Sequence, residues 1–174
     1  NIANALAALA LGRAAGLDLA PMLAALRSFR GLPHRCELVL ERDGVRWIND
    51  SKATNVGAAL AAIDGLGPQG RLLLIAGGEG KGADFAPLRR AVASYCDAVL
   101  LIGAAAADIA DAIGDACQLV QAHTLERAVA EAARRAQPGH SVLLSPACAS
   151  FDQFDNYSAR GDAFVSAVRA EVGS

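Results

Sequence analysis

Asn49, Asp50, Ser51, Lys52, Thr54 and Asn55 crowd into one short stretch that directly follows an apolar run containing Val45, Trp47 and Ile48. A strand that ends in such groups and turns into a small-residue helix makes an anion site. The N–H groups of a first helical turn have no partner inside the helix, and together they carry about half a positive charge. Lys52 adds a full charge, Asp50 can accept from a hydroxyl or hold a metal, and Ser51 or Thr54 can cap the helix. An ordinary capped helix with a solvated lysine fits the same residues, so this segment alone does not decide.

Two further junctions strengthen the case. Leu72, Leu73, Leu74, Ile75 and Ala76 run without alternation, as a fully buried parallel strand does, and lead into Gly77-Gly78-Glu79-Gly80-Lys81-Gly82. The glycines permit close backbone approach to a ligand. The spacing is not that of a P-loop, since Ile75 stands five residues before Gly80 and Gly82 follows the lysine, and GxGxxG is also missing. The third junction runs from Val142, Leu143 and Leu144 into Ser145-Pro146-Ala147-Cys148-Ala149-Ser150-Phe151-Asp152-Gln153-Phe154. In an open α/β sheet the C-terminal ends of parallel strands share one edge, where ligands bind. A crevice there with two lysines, several hydroxyls and open helix starts suits a small molecule carrying two or more negative charges.

The elements that must position these residues follow from periodicity. Residues 1–30 are rich in alanine and leucine at helical spacing, broken at Gly16-Leu17-Asp18, and form a helical hairpin. After a connector at 31–35, strands are expected at 36–41 and 45–49 around Arg42-Asp43-Gly44, a hairpin turn. Helix and strand then alternate: helix 55–65, strand 71–76, helix 86–95, strand 98–102, helix 104–113, strand 118–121, helix 124–136, strand 141–145 and helix 158–171. The fold class is therefore α/β: a Rossmann-like open, mostly parallel sheet with an edge hairpin, preceded by the N-terminal helical hairpin. Residues 1–30 are assigned to one unit and 31–174 to a ligand-binding domain.

Composition narrows the function classes. The 174 residues carry 16 basic against 18 acidic side chains, which leaves no basic face for nucleic acid. No uninterrupted apolar run is long enough for a membrane span and no signal peptide opens the chain, so a cytoplasmic protein is expected. Cys36, Cys96, Cys117 and Cys148 lack CxxC spacing, which argues for reduced thiols rather than a zinc site or redox pair. Cys148 has no evident base and is not assigned as a nucleophile. Asn1 and Asn4 share a helix face, and their amides could read a nucleobase edge as well as cap or face solvent.

Taken together, Asn-Asp-Ser-Lys-Ala-Thr-Asn (49–55), Gly-Gly-Glu-Gly-Lys (77–81), Leu-Ser-Pro-Ala-Cys-Ala-Ser-Phe-Asp-Gln-Phe (144–154), Asn156, Tyr157 and Arg160-Gly161 resemble the C-terminal domain of the Mur ligases. The likeness spans essentially the whole chain and is nearest to the member that adds D-glutamate. Gly82, a serine in some relatives, and Tyr157, a phenylalanine in some, depart from the pattern.

The resemblance implies an ATP-dependent ligase of peptidoglycan precursor synthesis, joining D-glutamate to UDP-N-acetylmuramoyl-L-alanine through an acyl phosphate. It implies that residues 1–30 end a central ATPase domain, which also holds Mg2+, and that the catalytic residues and metal ligands lie outside this stretch. It places Thr54, Lys81, Ser150, Phe151 and Tyr157 around D-glutamate, and Asn1, Asn4, His34, Arg35, Asp50 and Lys52 around ATP. A non-catalytic Rossmann-like module for a nucleotide or acidic metabolite, and another Mur or folylpolyglutamate-type ligase, are the competing expectations.

Overall fold

The computed structural model describes residues 2–173. The chain separates into two compact units, Asn1–Gly31 and Leu32–Ser174. In the first, helices α1 (Ile2–Ala14) and α2 (Leu19–Ser28) form the expected hairpin. Gly16 ends α1 at φ 82°, and the N–H groups of Gly16 and Leu17 return to the carbonyls of Arg13 and Gly12 at 3.0 and 2.9 Å. This closure needs a left-handed residue, which glycine adopts without steric cost.

The second unit is a six-stranded sheet of β1 (Glu37–Arg42), β2 (Val45–Asn49), β3 (Leu72–Gly77), β4 (Cys96–Ile102), β5 (Gln118–His123) and β6 (Ser141–Leu144), in the order β1-β2-β6-β3-β4-β5. Helices α3 (Val56–Leu66), α4 (Leu88–Tyr95), α5 (Ala106–Ile113), α6 (Leu125–Arg135) and α7 (Tyr157–Val172) connect and follow the strands. Only β1 runs against its neighbour; the other pairs are parallel. The β1–β2 turn has Asp43 at φ 51° and Gly44 at φ 75°, the pair of positive angles that matches a hairpin to strand twist.

Alternation along the strands makes two cores. Ile48, Leu74, Val99 and Leu143 pack with Ile63, Val92 and Ile109 of α3, α4 and α5 on one face. Trp47, Leu73, Leu100 and Val142 pack with Val129, Phe164 and Val168 of α6 and α7 on the other. Strands covered on both sides have no polar face to show, and β3 and β6 are buried at every position. Expected element ends move by only one or two residues; β4, for instance, begins at Cys96.

The consequence for function lies in the strand order. β6, last of the strands in sequence, inserts between β2 and β3. Asn49 stands opposite Leu144, which stands opposite Ile75. The three junctions singled out in the sequence therefore leave the sheet side by side, at the point where connections diverge to opposite faces and where open α/β sheets bind ligands.

Candidate functional site

Beyond β2, the backbone N–H of Asp50 continues the ladder to the Leu144 carbonyl at 2.8 Å. Its carboxylate turns inward: one oxygen accepts from the Cys36 N–H at 3.1 Å and the other from the Ser145 hydroxyl at 2.9 Å. Asp50 is 6% exposed, and burial raises its pKa above the ordinary aspartate value. Asn49, fully buried, donates to His34 Nδ1 at 3.1 Å and to the Gly161 carbonyl at 3.3 Å. Nδ1 thus accepts, and the ring proton sits on Nε2, 3.8 Å from the Asp162 carboxylate. Gly161 makes room for this ring, since a Cβ there would lie 2.2 Å from Nδ1.

Arg160 joins the first junction to the third. Its Nε donates to the Ser51 hydroxyl at 3.0 Å, and its terminal nitrogens donate to the carbonyls of Ser51, Cys148 and Ala149 at 2.9, 3.1 and 3.2 Å. The side chain is 1% exposed, and burial draws its pKa down to about 10, so it remains a cation at neutral pH. The Ser51 hydroxyl in turn donates to the Tyr157 carbonyl at 2.7 Å. Ala149 also pairs with Glu79, their N–H groups and carbonyls exchanging bonds of 2.9 and 3.1 Å, which ties the third junction to the second.

Lys81 stands at the tip of a turn closed by Ala83 N–H on the Gly80 carbonyl at 3.0 Å, with Lys81 at φ 49° and Gly82 at φ 71°. Its ammonium lies 4.9 Å from the centroid of the Phe151 ring and 3.7 Å from a Glu79 oxygen. Across the rim, Lys52 Nζ lies 4.1 Å from the Tyr157 centroid. Both lysines therefore rest on aromatic faces, where a ring quadrupole attracts a cation, with their heads toward solvent. The neighbouring Lys52 ammonium is the main cause of a lowered Tyr157 pKa.

The rim thus gathers His34, Lys52, Lys81, Ser150, Phe151 and Tyr157, with Ser150 buried and Phe151 63% exposed. Thr54 and Arg35 are exposed beside it. Asn4 is exposed in the first unit, and Asn1 lies outside the described residues. Two expectations need correction. Helix α3 is capped by Asn55, which accepts from Ala58 N–H at 2.9 Å, and not by Ser51 or Thr54. The helix starts are also partly engaged: Asn156 caps α7, and Asp152 and Asp84 accept from Ala104 and Ala86 ahead of α5 and α4. Asp50 is no free metal ligand, because both oxygens are engaged. Among the described residues, no group of three or more His, Cys, Asp or Glu side chains is placed to hold a metal ion. Cys148 is 1% exposed with its thiol pushed up to about 12 by burial, which suits packing and not nucleophilic attack.

Sequence reasoning missed the parts of Arg160, Asn49 and Asp152. Arg160-Gly161 stood in the resembling pattern, but no local signal told a buried arginine from a solvated one.

Residues 34–148 match the model of the Mur ligase glutamate ligase domain. The chain belongs to the Mur ligase family. Among its relatives are the UDP-N-acetylmuramoylalanine–D-glutamate ligases of Pseudomonas putida and Pseudomonas savastanoi, 60% and 61% identical over 97% of this chain. That of Marinobacter nauticus is 56% identical over the same share. The chain spans 38% of the length of each. Among solved structures, UDP-N-acetylmuramate-alanine ligase from Thermotoga maritima superimposes with a TM-score of 0.68 at 18% identity, over 98% of this chain and 38% of that one. Folylpolyglutamate synthase from Mycobacterium tuberculosis, complexed with ADP, gives 0.54 at 18% over 77% and 32%. At that identity both likenesses concern the fold. Among the described residues, no helix is long and apolar enough to cross a membrane.

Proposed function

We propose that this chain is the D-glutamate-receiving part of a cytoplasmic, ATP-dependent ligase that joins D-glutamate to UDP-N-acetylmuramoyl-L-alanine in peptidoglycan precursor synthesis. One observation supports this most strongly: Lys52, Lys81 and Ser150 follow the C-terminal ends of three adjacent parallel strands, whose loops are linked through Arg160 and the Glu79–Ala149 bridge. D-glutamate carries two carboxylates and one ammonium, and it matches a rim of cations and hydroxyls. Relatives at 56–61% identity that bear the D-glutamate ligase name support the same substrate.

In this scheme Lys81, Ser150, Phe151, Tyr157 and Thr54 hold the glutamate. His34, Arg35 and Lys52 face ATP, with Asp50 shaping their loop from beneath through Cys36 and Ser145. ATP, when bound, supplies the phosphoryl group that activates the alanine carboxylate. The residues of this chain hold the amine in line with that carboxylate, and orientation of this kind lowers a barrier by several kcal/mol. The described residues do not fit Mg2+, so we assign it to other parts of the ligase and derive no step from it.

The test is an NMR titration of this chain with D- and L-glutamate. Two or three charge-assisted bonds of about 1.5–3 kcal/mol each, set against an association cost of about 4 kcal/mol or more, give millimolar or weaker binding. Shifts centred on 52–54, 81 and 150–157 are expected. Shifts confined to other regions refute the site.

A further inference from the structure

Phe151 is 63% exposed, so packing does not hold it against Lys81. What holds it is the backbone on either side. Upstream, Ala149 is pinned by Arg160 and by the bridge to Glu79. Downstream, Asp152 reaches past the end of β4, where its Oδ2 accepts from the Ala104 N–H at 2.8 Å. The carboxylate occupies a niche that only a glycine leaves open: a Cβ on Gly103 would lie 2.3 Å from that oxygen. Gln153 reaches further and donates to the His123 carbonyl at 2.8 Å, an oxygen that also accepts from Gly103 N–H at 3.2 Å. Within the turn, the N–H groups of Gln153 and Phe154 close on the Ser150 carbonyl at 3.1 and 2.8 Å.

We infer that Asp152, seconded by Gln153, is a positioning residue: it anchors the 150–154 turn to the ends of β4 and β5 and so presents Ser150 and Phe151 to the amino-acid substrate. This rests on the assignment of Lys81, Ser150 and Phe151 to D-glutamate. Asp152 touches no substrate. It converts an exposed loop into a preformed wall, and the ordering cost is met during folding instead of at binding.

The test is steady-state kinetics of the full-length ligase. Loss of one charge-assisted hydrogen bond corresponds to about tenfold or more. Asp152→Ala is expected to raise KM for D-glutamate by that factor, with KM for ATP and for the UDP-linked substrate within about twofold of wild type. Asp152→Asn, whose amide oxygen still accepts from Ala104, is expected to restore most of the loss. A wild-type D-glutamate KM in Asp152→Ala, or a parallel rise for all three substrates, overturns the assignment. If Asp152→Ala does not fold, Gln153→Leu is read for the same split, and a wild-type D-glutamate KM there overturns it equally. Lys81→Ala run alongside separates the two levels. If it leaves the D-glutamate KM unchanged, the substrate assignment fails and this one with it. If it raises that KM while the Asp152 variants are silent, only the positioning role fails.

Discussion

Arg160 holds Ser51 twice, through the hydroxyl at 3.0 Å and the carbonyl at 2.9 Å, although the two residues are 109 positions apart in the chain. The same guanidinium takes the carbonyls of Cys148 and Ala149. Removing it strands three carbonyls in a site closed to water. Arg160→Met is expected to lower stability by about 3 kcal/mol, on the scale of hydrogen bonds to charged groups. Urea denaturation of this chain measures it. Arg160→Lys should recover little, because an ammonium cannot span both loops in the same plane.

In the proposed function the two lysines divide the work. In the full-length ligase, Lys81→Ala is expected to raise KM for D-glutamate by about tenfold or more, the loss of one charge-assisted contact, while KM for ATP stays near wild type. Lys52→Ala should show the opposite preference. Equal and small effects on both substrates from both variants would remove the assignment.

Tyr157 reports on Lys52 directly. The ammonium of Lys52 beside the ring lowers the phenol pKa. In a Tyr95→Phe background the remaining tyrosine should ionise below the ordinary value of about 10 in an absorbance titration near 295 nm. Lys52→Met should move that step upward. Because the folded-state pKa is depressed, this group adds stability above the unfolded-state pKa, and that contribution is lost as pH falls through the folded-state value. An unmoved titration in Lys52→Met contradicts the contact.

Two glycines on the β3 side should respond differently to alanine. At Gly77, φ 127°, a Cβ would lie 1.9 Å from the Ile102 carbonyl oxygen, whereas at Gly82, φ 71°, nothing lies within 4 Å. Gly77→Ala combines strain with a backbone clash and is expected to cost about 3 kcal/mol or more. Gly82→Ala carries only the left-handed penalty of about 1–2 kcal/mol. Thermal melts of the two variants give the ranking, and equal losses would argue against the β3–β4 packing.

Much of this layout can be read from the residues. The unbroken apolar run of β3 announces a strand covered on both faces, and Asp43-Gly44 announces its turn, because backbone sterics act locally. That three loops share one rim also follows, since parallel strands must end on one side. What cannot be read is anything set by partners distant in sequence. Periodicity places β6 in the sheet but not between β2 and β3. Ser51, Thr54 and Asn55 all have capping propensity, and tertiary geometry alone selects Asn55. Asp50 looks like a free ligand until Cys36 and Ser145 are seen to occupy it.

Cys148 and Cys96 are buried, each with its thiol pushed up to about 12. Alkylation at pH 8 should therefore leave both unmodified in the folded chain and modify them once denaturant is added, read by peptide mass mapping. Fast labelling of Cys148 under native conditions would show that its loop opens.

The place of β6 bears on how the protein comes into being. A nascent chain leaving the ribosome has β1 through β5 available before the wedge strand emerges, and until then β2 and β3 have no neighbour to hold them together. Such late, non-local pairing slows folding and leaves strand edges uncovered meanwhile. A translation product that stops short of residue 141 would keep most of its apolar surface and both lysines, yet could form no rim at all.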